Sequence, residues 1–433
     1  VTLDLQTQPR TTVTVRSGRP LAGTVRVDGS KNAALPLLAA AAAVGRPVQL
    51  FNVPRSTDVQ LMVTLLKASG FEVTRRRGGL EIAPNLGAVM PPVLPEAARI
   101  RASYYLVPVL LAWYGTASLP WPGGCRIGDR GMELHFAVYE AFGDEVRTDT
   151  SGYRVRVSVP AKSVTVRLPF RSRGASVCAV LRAVAGRQRL RLDNPNLSPE
   201  FTGMLAALRT ADYDITVDQD AVIVEPLLSS ANSELAWTVP GDKIEAGTIA
   251  AAIAATGGTG RIEGVDGSGL TRFAQALNCL GVPAAIEPDG LLISGPAVPV
   301  QGSLEAMASL DPDGLDADFE PGLMALALGF AGSHVFADDI NPGRHGNLLP
   351  QLARLGAVVE ELSPTRCRVS GPQQLSGSVV EATDIRTGSA LIVAGLTATG
   401  TTTITGLDQL RRGHPNLPGK LRWLGAEIAG DEQ

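Results

Sequence analysis

The segment PGGCRIGDRGMELH, residues 122–135, sets a thiol between guanidinium groups on a stretch opened by Pro-Gly-Gly. Glycine restricts the backbone little, so this composition predicts a mobile loop. Arg126 and Arg130 flank Cys125 and favour its thiolate form. A thiol so placed is a candidate nucleophile or proton donor; an inert cysteine is the ordinary alternative. A second feature is SKNAALPLLAAAAA, residues 30–43, which puts Lys31 and Asn32 at the start of an apolar helix. A cation there opposes the helix dipole unless it serves an anion, so Lys31 is a candidate phosphate or carboxylate ligand. The alternative is a plain polar pair with Asn32 as cap.

These residues depend on elements that recur. A short amphipathic segment ending in a Leu-Gly-like turn and followed by a β-type run appears as LLKASGFEV, VYEAFGDEV, LNCLGVPAAI, LARLGAVVEEL and LRWLGAEIAG. LAALRTADYDI is a weaker copy. The spacing of about 70 residues yields six units over essentially the whole chain. Gly after an apolar helical pattern is the expected C-cap. Upstream in each unit lies a small-residue, strongly apolar helix: KNAALPLLAAAAAV, RASYYLVPVLLAWY, RGASVCAVLRAV, IEAGTIAAAIAA, FEPGLMALALGFA and IRTGSALIVAGLTA. Helices apolar all round belong inside a core. The unit reads as strand, buried helix, strand, amphipathic helix, strand, with one further short strand.

At 433 residues the chain exceeds a single compact core, and six units divide into two α/β domains. The boundary is set at Pro240-Gly241, giving residues 31–240 with the Cys loop and residues 1–30 plus 241–433. By pattern alone the first strand, residues 23–28, suits either half. If the buried helices run parallel, their N-termini open on one face, with Lys31, Arg101, Arg173 and Arg386 at the starts. Two such faces would make an anion-attracting cleft suited to a phosphorylated substrate; solvated helix-start loops are the plain alternative.

A net charge of −3 lacks the basic excess of a general nucleic-acid binder, so no nucleic-acid partner is expected. Four scattered cysteines with no CxxC pair suggest neither a disulfide framework nor a zinc site, and a cytoplasmic setting is expected. Cys178, Cys279 and Cys367 lie in apolar stretches and are expected to be structural. The greasy run from Leu35 to Val44 is too short to span a bilayer, so no membrane association is expected.

SKNAALPLL, then GGC-x-I-G-x-R, then ATDIRTGSALIVAGLTATGTT, together resemble the enolpyruvyl transferase family, in particular its UDP-N-acetylglucosamine 1-carboxyvinyltransferase branch. The resemblance runs from about Ser17 to Gly430 and implies two inside-out α/β domains of three βαβαββ-type repeats, closing around substrate. It implies transfer of the enolpyruvyl group of phosphoenolpyruvate to a secondary hydroxyl with release of phosphate, without metal or organic cofactor. A monomer is expected.

Under that resemblance Lys31 and Arg130 hold the phosphate and carboxylate of phosphoenolpyruvate, with Arg101 near the same pocket. Cys125 acts as general acid toward the methylene carbon or forms a covalent adduct. Arg386, supported by Asp384, and Arg412 lie across the cleft and engage the carboxylate. Asp318 takes the proton of the attacking hydroxyl. Arg344 substitutes, with a one-residue shift, for a further arginine binding phosphoenolpyruvate. Asn32, Glu133, His135, Arg173 and Gly174 fall where a uridine nucleotide binds.

The chain also departs from the family. Cell-wall members read close to proline-threonine-aspartate-x-glutamine around the base, whereas this chain has Asp316-Ala317-Asp318-Phe319-Glu320. Where they carry arginine-proline and a uracil-reading aspartate, this chain has Arg130-Gly131-Met132-Glu133. The pattern resembles the paralogues of nikkomycin- and polyoxin-type pathways that use the 3′-hydroxyl of UMP. UDP-N-acetylglucosamine as acceptor and a catalytically silent binding protein are the other readings.

Overall fold

The computed structural model describes residues 11–85, 94–123, 131–218, 220–227, 234–298, 303–311 and 314–430. Six strongly buried helical segments appear: Lys31–Ala43, Val107–Tyr114, Arg173–Gly186, Lys243–Ala255, Glu320–Ala327 and Ile385–Gly395. Each is rich in Ala, Gly, Leu or Val, which lets backbones approach and leaves no polar face to solvate. The first three pack on one another and so do the last three. Six amphipathic helices cover them: Thr57–Ala68, Glu133–Ala141, Pro199–Thr210, Thr271–Cys279, Arg344–Arg354 and Leu417–Trp423. The strands form five four-stranded sheets and one three-stranded sheet among the described residues.

Buried side chains fall into two cores, one running from Ala33 to Val239, the other combining Val13–Val27 with Ile244–Ile428. The N-terminal strands explain that interleaving. Val13–Arg16 lies between Thr401–Thr405 and Glu427–Gly430, and Ala22–Arg26 pairs in parallel with Thr259–Glu263. Conversely, Leu235–Thr238 pairs in parallel with Val48–Phe51 and completes the first sheet of the other half.

The chain thus crosses between halves twice, at residues 28–30 and 240–242. The two crossings are hydrogen-bonded: the Ser30 N–H donates to Pro240 O at 2.7 Å, and the Asp242 N–H donates to Asp28 O at 2.8 Å. Gly29 and Gly241 face each other there; a Cβ would lie 1.9 Å from Asn52 O and 1.8 Å from Gly264 O respectively. Only glycine allows strands this close.

One buried helix breaks the apolar rule. Arg182 makes a two-pronged pair with Asp144, Nε to Oδ2 and Nη2 to Oδ1 both at 2.8 Å, and reaches Gln188 Oε1 at 2.8 Å. Full hydrogen bonding is what makes a buried charge tolerable. Cys178 and Cys367 are buried, but Cys279, expected to be structural, is exposed on the outer side of its amphipathic helix. Among the described residues no helix is long and apolar enough to cross a membrane.

Candidate active site

Four buried helices share one start: a capping Ser or Asp followed within two residues by a cation. Ser30 accepts from the Ala33 N–H, Ser172 from Ala175, Asp242 from Ile244 and Glu245, and Asp384 from Arg386 and Thr387. Lys31, Arg173, Lys243 and Arg386 follow these caps. All four line one cavity of about 700 Å³ between the halves, as do Asn32, Arg101, Glu133, His135, Gly174, Asp318, Arg344, Asp384 and Arg412. Cations at helix N-termini are unfavourable in isolation. Gathering them around a cavity raises its positive potential and fits it to an anion.

Within the cavity, Asp58 ties the halves together. Lys31 Nζ lies 3.3 Å from its Oδ2, and Arg412 Nε donates to its Oδ1 at 2.9 Å. Arg412 Nη2 also reaches Arg99 O at 3.4 Å. Arg101 donates from Nη2 to Gly131 O at 3.2 Å and stacks 5.9 Å from the Tyr104 ring. Cys125 and Arg130 fall in residues 124–130, outside the described residues. The flanking residues are anchored: the Gly123 N–H donates to Ala98 O at 3.0 Å, and Gly131 lines the cavity.

Asp318 is gripped on both oxygens. Arg344 Nη2 donates to Oδ1 and Arg386 Nη2 to Oδ2, each at 2.8 Å. Burial would raise its pKa, but Arg386 and Arg344 outweigh it and hold the carboxyl well below the usual range. Arg386 Nη1 bonds His414 Nε2 at 2.7 Å. Burial and then the Arg386 charge push His414 far down, so its ring stays neutral and accepts that bond. Asp384 is the cap of the Arg386 helix and is itself buried.

Arg344 lines the cavity, the place expected of a phosphoenolpyruvate ligand. It is 1% exposed, with Nη1 on the Ala317 carbonyl and 3.2 Å from Asp338 Oδ2. Its terminal nitrogens face two carboxylates and a carbonyl, and these contacts position Asp318. A sequence cannot show this, because Asp338 and Ala317 come from separate elements.

Glu133 opens the helix Glu133–Ala141, and His135 sits one turn into it against Tyr104, ring centroids 4.3 Å apart. Gly174 closes this corner; a Cβ there would lie 2.6 Å from both His135 Nε2 and Tyr104 Oη. Among the described residues both ring nitrogens of His135 are buried without a partner that meets hydrogen-bond geometry. Burial foremost, then Arg101, lowers its pKa from 6.5 to about 3. The unfolded chain therefore takes up a proton between those values that the folded chain refuses. Stability falls as pH drops below 6.5, by about 1.4 kcal/mol per unit for such a group. Urea titrations from pH 7 to 4.5 are expected to show a shallower decline for His135→Gln. An unchanged decline would assign the effect elsewhere.

Sequence reasoning missed several cavity residues. Lys243 repeats the Lys31 arrangement, Gly-Asp-Lys after Pro240 against Gly-Ser-Lys after Asp28, and this signal was available. Asp58 and Asp316 carried no comparable signal, nor did His414, which lies behind Arg386.

The model of the EPSP synthase family (3-phosphoshikimate 1-carboxyvinyltransferase) matches residues 15–421. The chain belongs to this family. It is an enolpyruvyl (carboxyvinyl) transferase by family and by relatives. It is 32% identical over 419 residues to UDP-N-acetylglucosamine 1-carboxyvinyltransferase 1 of Streptococcus agalactiae, covering 96% of this chain and 98% of that one. It is 33% identical over 426 residues to UDP-N-acetylglucosamine 1-carboxyvinyltransferase 3 of Symbiobacterium thermophilum, covering 98% and 99%. The enolpyruvyl transferase NikO from Streptomyces tendae superposes with a TM-score of 0.85 at 24% identity, covering 98% and 99%. EPSP synthase from Acinetobacter baumannii superposes at 0.74 with 16% identity, covering 98% and 100%. At these identities the structural likeness is one of fold, and that fold is the enolpyruvyl transferase fold.

Proposed function

We propose that this enolpyruvyl transferase moves the enolpyruvyl group of phosphoenolpyruvate to a secondary hydroxyl of a uridine nucleotide, the 3′-hydroxyl of UMP, releasing phosphate. The observation that carries the reaction is the meeting of Lys31, Arg101, Arg386 and Arg412 with the ionised Asp318 in one cavity.

In this reading the Cys125 thiol gives a proton to the methylene carbon, leaving C2 cationic. The acceptor oxygen bonds to C2 as its proton passes toward Asp318. The tetrahedral species then returns a methyl proton to the Cys125 thiolate while its C2–O bond to phosphate breaks, restoring the double bond, and the hydroxyl proton leaves Asp318 with the phosphate. Protons gained and lost balance, and no metal or organic cofactor enters. Asp318 is a weak base, yet a hydroxyl bonding to a cationic carbon becomes strongly acidic, so a permanently ionised carboxylate suffices. Lys31 and the arginines stabilise charge on the departing phosphate. Closure of the two halves on the substrates keeps water from the cation.

For the acceptor, Glu133, His135 and Gly174 form the corner assigned to uracil. Arg171 and Arg173 line the same cavity and are the cations this reading gives to the UMP phosphate. Arg173 lies 3.6 Å from Glu200 and 4.0 Å from Asp316, beyond hydrogen-bond length, so its donors can still take a phosphate oxygen. UDP-N-acetylglucosamine is the second reading, favoured by relatives 32% and 33% identical over nearly the whole chain.

Phosphate release from phosphoenolpyruvate, with the ether product identified by mass spectrometry, tests both. UMP alone is expected to support release. Release only with UDP-N-acetylglucosamine would reverse the acceptor, and release with neither would favour a silent binding protein.

A further inference from the structure

Asp316 has no part in the scheme above, yet it stands two residues before Asp318 and lines the same cavity. Its Oδ1 accepts the Asp318 N–H at 3.0 Å, capping the turn that presents Asp318. Its Oδ2 lies 2.9 Å from Lys243 Nζ, and its side chain keeps 20% exposure. Glu200 stands behind, 3.5 Å from Lys243 and 3.6 Å from Arg173, with 6% exposure. Each half supplies one cation and one carboxylate, so the four charges cancel. Lys243 already balances the Asp316 charge, so the open acceptor directions of Asp316 call for no second cation.

We infer that Asp316 is a specificity-determining residue: it accepts a hydrogen bond from the hydroxyl adjacent to the reacting one, selecting a ribonucleotide with a vicinal diol. The inference rests on the UMP reading. A carboxylate oxygen has two acceptor directions, and the described contacts use one on each oxygen of Asp316. What remains toward the cavity suits a neutral donor, and a hydroxyl is the neutral donor a nucleotide sugar offers. Lys243 and the backbone hold the carboxylate in place, so little ordering is lost on binding. Asp318 and Asp316 then address neighbouring hydroxyls, one for the proton and one for recognition. A ligand in this cavity is indicated independently by His135, 4% exposed and with both nitrogens unpartnered among the described residues. A 2′-deoxy sugar would leave that remaining acceptor direction of Asp316 desolvated and unfilled, which a polar site rejects strongly.

The test compares UMP with 2′-deoxyUMP, and UDP-N-acetylglucosamine in parallel, in the wild type, Asp316→Ala and Asp316→Asn. The wild type is expected to favour UMP over 2′-deoxyUMP by about 100-fold in kcat/KM. Asp316→Ala should collapse that ratio to within about threefold, and Asp316→Asn, which keeps an acceptor oxygen, should retain an intermediate ratio. A purely structural Asp316 would lower both rates together and keep the ratio, which would overturn the inference, as would a wild-type ratio near one. Failure of UMP with turnover of UDP-N-acetylglucosamine would sink the acceptor reading and this inference with it. Good UMP turnover with an unmoved ratio sinks this inference alone.

Discussion

Asp318→Asn is expected to lower kcat by about 1,000-fold and to lower the melting temperature as well. The amide keeps the shape of the carboxylate but cannot take the proton of the attacking hydroxyl. It also removes the charge between Arg344 and Arg386, whose side chains are 1% and 8% exposed. Breaking a buried pair from one side costs about 3–5 kcal/mol, because the partner charge stays buried. Rates measured well below the melting transition separate the two effects. A variant that melts early yet turns over normally would make Asp318 a structural ion-pair partner and nothing more. The pH sign follows from the depressed carboxyl. Its contribution to stability is fully present above the ordinary carboxylate value of about 4 and disappears as pH falls through the lower folded value. An acid limb in the rate above pH 5 therefore belongs to another group.

Cys125→Ala is expected to slow turnover by about 1,000-fold while leaving the melting temperature unchanged. The sequence motivates this directly, since the thiol sits in a Gly-rich stretch between arginines. The two ends of that stretch strengthen it. Gly123 is held on Ala98, and the Gly131 carbonyl is held by Arg101, a cavity residue. A Cβ on Gly123 would lie 2.1 Å from Ala98 O, so the chain must leave this point as glycine. Single-turnover phosphate release and thermal melting check the expectation together. A rate within threefold of wild type would remove Cys125 from the chemistry. A melting loss to match the rate loss would make it a packing residue.

The six-unit plan was legible because it rests on local physics. Apolar all-round helices must be buried, Leu-Gly turns must end amphipathic ones, and both patterns repeat in order along the chain. Lys31, Arg173 and Arg386 were legible for the same reason, each being a cation at the start of a helix that has to point into the core. Arg101 instead opens a 3-10 segment, Arg101–Leu106, ahead of the helix Val107–Tyr114. Lys243 obeys the helix-start rule too, one residue before the apolar run that begins at Ile244.

Pairing was a different matter. Arg412 meets Asp58 across 354 positions of sequence, and Arg386 meets Asp318 across 68. Ion pairs have no period, and any of the chain's 42 acidic residues was an equal partner on paper. Only the double crossing at residues 28–30 and 240–242 brings the two sets of helix starts face to face. Within one half, tertiary packing likewise set Arg344 against Asp318 and Asp338. The meeting of the halves set Asp316 between Lys243 and Arg173. Local sequence determined which groups reach the ends of the helices; tertiary structure alone decided which charges are spent on each other and which remain for a substrate.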